Sequence, residues 1–180
     1  IFEACDVVIY PPLPYLQAID SAISSSPLAL GAQNFWPQAS GAFTGEVSCN
    51  MLKDLCVTSV LVGHSERRHV LHESDVLISK KVEFALGSAL QVVLCIGETL
   101  EERETGNTLS VVLGQVQSGL ESVSRDLMQN IVIAYEPVWA IGTGKTASAK
   151  DAQEVHGAIR EELASRYDGD VASATRIQYL

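Results

Sequence analysis

Glu136 closes the apolar run IVIAY and is followed at once by Pro137. Proline keeps the residue before it out of helical geometry, so the carboxylate leaves its strand at a defined corner. Val138, Trp139, Ala140 and Ile141 come next, then Gly142, Thr143, Gly144 and Lys145. A segment with an apolar face, a rigid start and a glycine-rich end can fold over a small ligand, exclude water and bring a glycine N–H to an anion. A carboxylate beneath it, shielded from water, is a better proton acceptor, which makes Glu136 a candidate general base. The second constellation is LVGHSERR, Leu61 to Arg68. Ser65 and Glu66 read as the start of a helical turn, whose N–H groups favour a neutral imidazole at His64. A neutral His64 can donate a hydrogen bond to a developing oxyanion and pass a proton between adjacent oxygens.

Each reading has a plainer counterpart. Glu136 could cap a helix or pair with Lys145, with Trp139 in the core, and His64 could be a structural histidine fixed by hydrogen bonds. The string GTGKT mimics a phosphate-binding loop, but that motif requires glycine where this sequence has Trp139. His69, His72 and Glu73 spell HxxHE without a third ligand at a supporting spacing, so they read as a solvated helix face and no metal is assigned. The stretch SGAFTGE, Ser40 to Glu46, suits either a projecting interface loop or an ordinary strand-to-helix connection.

These residues need a scaffold, and the sequence supplies a regular one. Six short runs read as strands: Asp6–Tyr10, Leu28–Asn34, Ser59–Gly63, Gln91–Ile96, Ile131–Glu136 and Thr175–Tyr179. Several are apolar on both alternations, as in a parallel sheet covered on both faces. Helical spacing between them predicts helices over Leu13–Ile23, Glu46–Leu55, Ser74–Leu86, Leu109–Val123 and Lys150–Tyr167. In the last, Val155, Ile159 and Leu163 form a buried stripe, while Asp151, Glu154, Glu161 and Glu162 are expected to face water. Asn34, His64, Glu98 and Glu136 all fall at or just past C-terminal strand ends, where α/β proteins assemble their sites. No GxGxxG follows the first strand, which favours a barrel over a dinucleotide-binding sheet. No linker or shift of composition divides the chain, so residues 1–180 read as one domain.

Composition narrows the function. With 47% apolar and 19% charged residues, the chain can bury a substantial core. A net charge of −10 argues against a nucleic-acid partner. No apolar run approaches the roughly twenty residues that span a bilayer. Cys5, Cys49, Cys56 and Cys95 show neither CxxC pairing nor zinc-ligand spacing, which fits a reducing, cytoplasmic setting.

YPP after the first strand, AQN, GAFTGE, VGHSERR, LCIGETLEER and AYEPVWAIGTGKTA follow one another in an order and spacing that closely resemble the triosephosphate isomerase family, over Ile1 to Tyr179. The resemblance implies a TIM (β/α)8 barrel, here an incomplete one of about six strands, the second to the seventh. It also implies interconversion of dihydroxyacetone phosphate and D-glyceraldehyde 3-phosphate through an enediolate, in glycolysis and gluconeogenesis, without a cofactor. It carries the base over to Glu136 and the neutral histidine to His64; the same pair serves as a standard example of acid–base tuning. Ser65 matches the residue that holds the base before substrate closes in, Glu66 a carboxylate beside the family's lysine, Gly142 a backbone donor to the substrate phosphate, and Thr44 the tip of a homodimer loop. The family's Asn-x-Lys strand has no counterpart before Ile1, and its phosphate turn and eighth strand have none after Leu180, so missing end segments are expected. A catalytically inactive barrel fragment and a non-catalytic sugar-phosphate binding module are the alternatives.

Overall fold

The structure is a computed structural model that describes residues 5–141, 144 and 146–180. Its centre is a parallel sheet in which β1 (Val8–Ile9), β2 (Ala29–Ala32), β3 (Ser59–Val62), β4 (Gln91–Ile96), β5 (Ile131–Tyr135) and β6 (Arg176–Tyr179) stand side by side in chain order. Each strand pairs with the next, with β4 and β5 in register over Val92↔Ile131 to Ile96↔Tyr135. The sheet curls into part of a (β/α) barrel, so that Arg176 of β6 reaches Asp6 ahead of β1 at 2.7 Å.

The double-sided apolarity of the strands has a direct structural cause. Val92, Leu94 and Ile96 of β4 and Ile131, Ile133 and Tyr135 of β5 face the helical layer and join its core. Val93, Cys95, Val132 and Ala134 face the opposite way and form a second cluster inside the curl, with Tyr10 and Leu61 packed on it. Helices α4 (Asp75–Gly87), α6 (Thr108–Gly119) and α7 (Ala149–Arg166) cover the outside, α7 through Val155, Ile159 and Leu163, each at most 2% exposed. Burying three such side chains contributes about 1.5–3 kcal/mol apiece.

Several boundaries move from the sequence expectation. Pro12 and Pro14 turn the start of the first helix into a 3-10 turn, so α1 spans only Leu16–Ile23. Ser48 accepts from the Met51 N–H and delays α2 to Cys49–Asp54 rather than Glu46. Three short helices, α3 (Ser65–His69), α5 (Leu100–Glu104) and α8 (Gly169–Ala174), join the predicted set. Asp151 and Glu162, expected to face water, are partly buried and bonded, Glu162 accepting from Gln117 at 3.0 Å.

Candidate active site

Glu136 continues the inward register of Val132 and Ala134, so its side chain emerges at the mouth of the curl, only 5% exposed. Its position is fixed by its backbone. The Glu136 N–H donates to Ile96 O at 2.8 Å, and the Glu136 carbonyl lies so close to Gly97 that a Cβ there would stand 1.7 Å from the oxygen.

His64 reaches the same mouth by a different device. Gly63 takes a φ of 78°, open to glycine at little cost, and so breaks the strand alternation. Arg68 clamps that turn, donating from Nε to Gly63 O at 2.6 Å and from its terminal nitrogen to Cys95 O at 3.3 Å. The Glu66 N–H donates to His64 Nδ1 at 3.3 Å. A backbone N–H can only donate, so Nδ1 presents its lone pair and the ring proton belongs on Nε2. Nε2 lies 3.4 Å from Glu136 Oε1, long for a hydrogen bond but within one small movement of it.

Ser65 holds the Glu136 carboxylate at both oxygens: its hydroxyl donates to Oε1 at 3.0 Å and its N–H to Oε2 at 3.2 Å. Two readings of Glu136 therefore coincide, because a carboxylate at the start of α3 is also a helix cap supplied from another strand. The Glu66 side chain is 80% exposed, with Oε2 3.9 Å from His64 Nδ1. Beneath the pair, burial first and the Glu136 charge second push the Cys95 thiol up to about 12, so it stays protonated. Thr44 is exposed in its loop, whose Trp36 and Phe43 rings pack at a tilt with their centres 5.3 Å apart. Gly142, together with Thr143 and Lys145, lies outside the described residues.

Two sequence expectations need correction. HxxHE is not a solvated helix face: His69 ends α3, His72 lies in the link between α3 and α4 at φ 56°, and Glu73 is 9% exposed. Glu73 Oε1 instead accepts from Lys81 at 2.5 Å and Arg67 at 2.7 Å, and Lys81 also donates to Asn34 at 2.6 Å. Among the described residues no cluster of His, Cys, Asp and Glu is arranged to hold a metal. Burial would raise the Glu73 carboxyl, but the Arg67 and Lys81 donors outweigh it and hold the group below the ordinary range. Lys81→Met leaves that buried carboxylate short of a cation and is expected to cost about 3–5 kcal/mol. Removing Glu73 as well, as Leu, restores part of the loss, and urea unfolding of the single and double variants reads the difference.

The second correction concerns Glu98, which the strand-end pattern flagged without a role. It is wholly buried and accepts from Tyr135 Oη at 3.1 Å, from Trp139 Nε1 at 2.8 Å and from Arg103 at 3.4 Å. Trp139 is thus 7% exposed but polar-bonded, an anchor three residues past Glu136. Arg103 also donates to Asp151 at 2.6 Å. The only sequence hint was TLEE, whose Thr99 and Glu102 form a capping box that starts α5 and orients Arg103.

The Asp151 carboxyl is held down to about 2, by the Ser148 hydroxyl and N–H first and by Arg103 after them. Its folded value lies below the unfolded 3.8, so this stabilisation is present above about pH 4 and lost as pH falls through about 2. Asp151→Asn is expected to flatten that part of the acid-unfolding profile, read by circular dichroism.

A carboxylate and an imidazole side by side at the C-terminal ends of curled parallel strands define an α/β-barrel protein whose strand mouth gathers titratable groups, where barrels of this kind build their sites. A family profile described as Triosephosphate isomerase matches residues 2–179. Proteins named triosephosphate isomerase from Carboxydothermus hydrogenoformans, Saccharomyces cerevisiae and Chloroflexus aurantiacus are 51%, 49% and 47% identical to this chain. Those alignments cover 97–98% of this chain and 69–71% of the relatives. The chain belongs to the triosephosphate isomerase family.

Proposed function

We propose that this chain acts as a triose-phosphate isomerase, one barrel domain interconverting dihydroxyacetone phosphate and D-glyceraldehyde 3-phosphate in the cytoplasm. The observation that carries the reading is the Glu136 carboxylate beside His64 Nε2 at the strand mouth, 3.4 Å apart. Glu136 takes a proton from the carbon next to the substrate carbonyl. The His64 Nε2–H donates to the carbonyl oxygen as charge develops on it, giving an enediolate. His64 passes the hydroxyl proton from one enediolate oxygen to the other, and a proton delivered from Glu136 to the neighbouring carbon completes the exchange. Ser65 keeps the base parked until substrate competes for it, Glu66 stands where the family has a carboxylate beside its lysine, and Gly142 donates to the phosphate.

A homodimer is part of this reading. Its support is the exposed loop around Thr44, with Phe43 39% exposed, and the uncovered Val70 and Leu71 at 68% and 58%. Sedimentation at micromolar concentration should give twice the chain mass. The cytoplasmic setting is supported by four free cysteines. The deciding assay supplies dihydroxyacetone phosphate with a dehydrogenase that consumes the aldehyde. Turnover that vanishes with His64 and Glu136 replaced supports the reading; tight binding without exchange would favour a sugar-phosphate binding module.

A further inference from the structure

Arg103 stands where two distant parts of the chain approach Glu136 from behind, and the assignment of a base does not by itself account for it. Its guanidinium carbon lies 4.4 Å from the centre of the Trp139 ring, a cation–π approach. One terminal nitrogen is 3.4 Å from Glu98 Oε1, the oxygen that also accepts from Trp139 Nε1. The other reaches Asp151 Oδ1 at 2.6 Å. Asp151 Oδ2 meanwhile accepts from the Ser148 N–H and hydroxyl at 2.9 and 2.6 Å, which ties down the start of α7.

The chain leaving Glu136 is therefore gripped at Trp139, and the chain entering α7 is gripped at Ser148 and Asp151, both through one side chain on α5. Only a planar, always charged fork fits this place. A lysine would pair with Asp151 as a point charge but could not lie flat on the indole while addressing two carboxylates. We propose that Arg103 is a positioning residue for the isomerase reaction: by joining Trp139 and Asp151 it fixes the backbone that aims Glu136. This rests on the reading of Glu136 as the base. Arg103 is about one-third exposed and is not placed to touch the reacting atoms, so its influence passes through Trp139 and the α7 start.

The test is a double-variant cycle in kcat and KM for dihydroxyacetone phosphate, using Arg103→Gln, Asp151→Asn and both together. A parallel set in a Trp36→Phe background leaves Trp139 as the single tryptophan, since the chain has two. If Arg103 acts by joining the two segments, each single variant lowers kcat roughly tenfold, as misplacing a catalytic group does, and the double variant is no worse than the poorer single. Trp139 emission then shifts in Arg103→Gln. Arg103→Lys, which keeps the charge and guards against a variant that fails to fold, recovers part of kcat but not the emission of the parent. Additive losses, or a folded Arg103→Lys or Arg103→Gln protein with unchanged kcat, would overturn the proposal. A parent protein without turnover would instead overturn the isomerase reading itself, so the two failures are distinguishable.

Discussion

Shortening Glu136 to aspartate is expected to lower kcat for triose isomerisation on the order of 100-fold, with a much smaller change in KM. The substitution keeps the charge and withdraws the carboxylate by one methylene from a site whose backbone is already fixed. The backbone on either side of it is held by hydrogen bonds. The Glu136 N–H is committed to Ile96 O at 2.8 Å and the Val138 N–H to Glu98 O at 3.1 Å. The charge at Glu136 is kept, so binding is expected to be largely spared. Glu136→Gln removes the base altogether and should cost on the order of 10²–10⁴ in kcat. Steady-state kinetics of both variants check this, and near-parental turnover in either would take Glu136 out of the role.

The second large effect is expected at a residue without a side chain. In Gly97→Ala the new Cβ would stand 1.7 Å from the Glu136 carbonyl oxygen and 2.7 Å from its carbon, both backbone atoms. Real contacts of that kind do not occur, so either β4 or the end of β5 must shift. Overpacking of this sort costs about 1–3 kcal/mol in stability. A backbone shift of order 1 Å at Glu136 also costs about 100-fold in kcat, even in molecules that stay folded. Thermal unfolding and kinetics together test it: a variant with parental melting and parental kcat would mean that the two chain segments are not pressed together there. Tyr135, whose phenol is pushed upward by burial and by the Glu98 charge, remains a hydrogen-bond donor in either protein.

The parallel sheet was legible because its middle strands carry apolar residues on both alternations, and only a sheet covered on both faces explains that. The stripe Val155, Ile159, Leu163 announced α7 for a similar reason. Short helices were less visible: α3, α5 and α8 span six residues or fewer, too few for a helical period to declare itself. The placement of Glu136 and His64 at one strand mouth was readable because each follows the end of its own strand and carries a local mark, Pro137 after Glu136 and Gly63 before His64. The long-range polar supports were not. Lys81 meets Asn34 across 47 positions and Arg103 meets Asp151 across 48, and no local pattern encodes such a pairing. Glu73 shows the resulting error, since a charged residue just after two exposed histidines looks solvated until the fold brings Lys81 and Arg67 to it. Ser65 was assigned through its family position, and the geometry supplies a physical reason for it: both its donors converge on one carboxylate.

The most direct test of the central claim is to run the isomerisation of dihydroxyacetone phosphate in D2O and read the product by proton NMR. Abstraction by Glu136 exposes the proton to solvent exchange, so the account predicts deuterium at the carbon that receives it, with its loss of turnover in Glu136→Gln. Product wholly free of solvent deuterium together with undiminished turnover in Glu136→Gln would contradict a carboxylate base at Glu136.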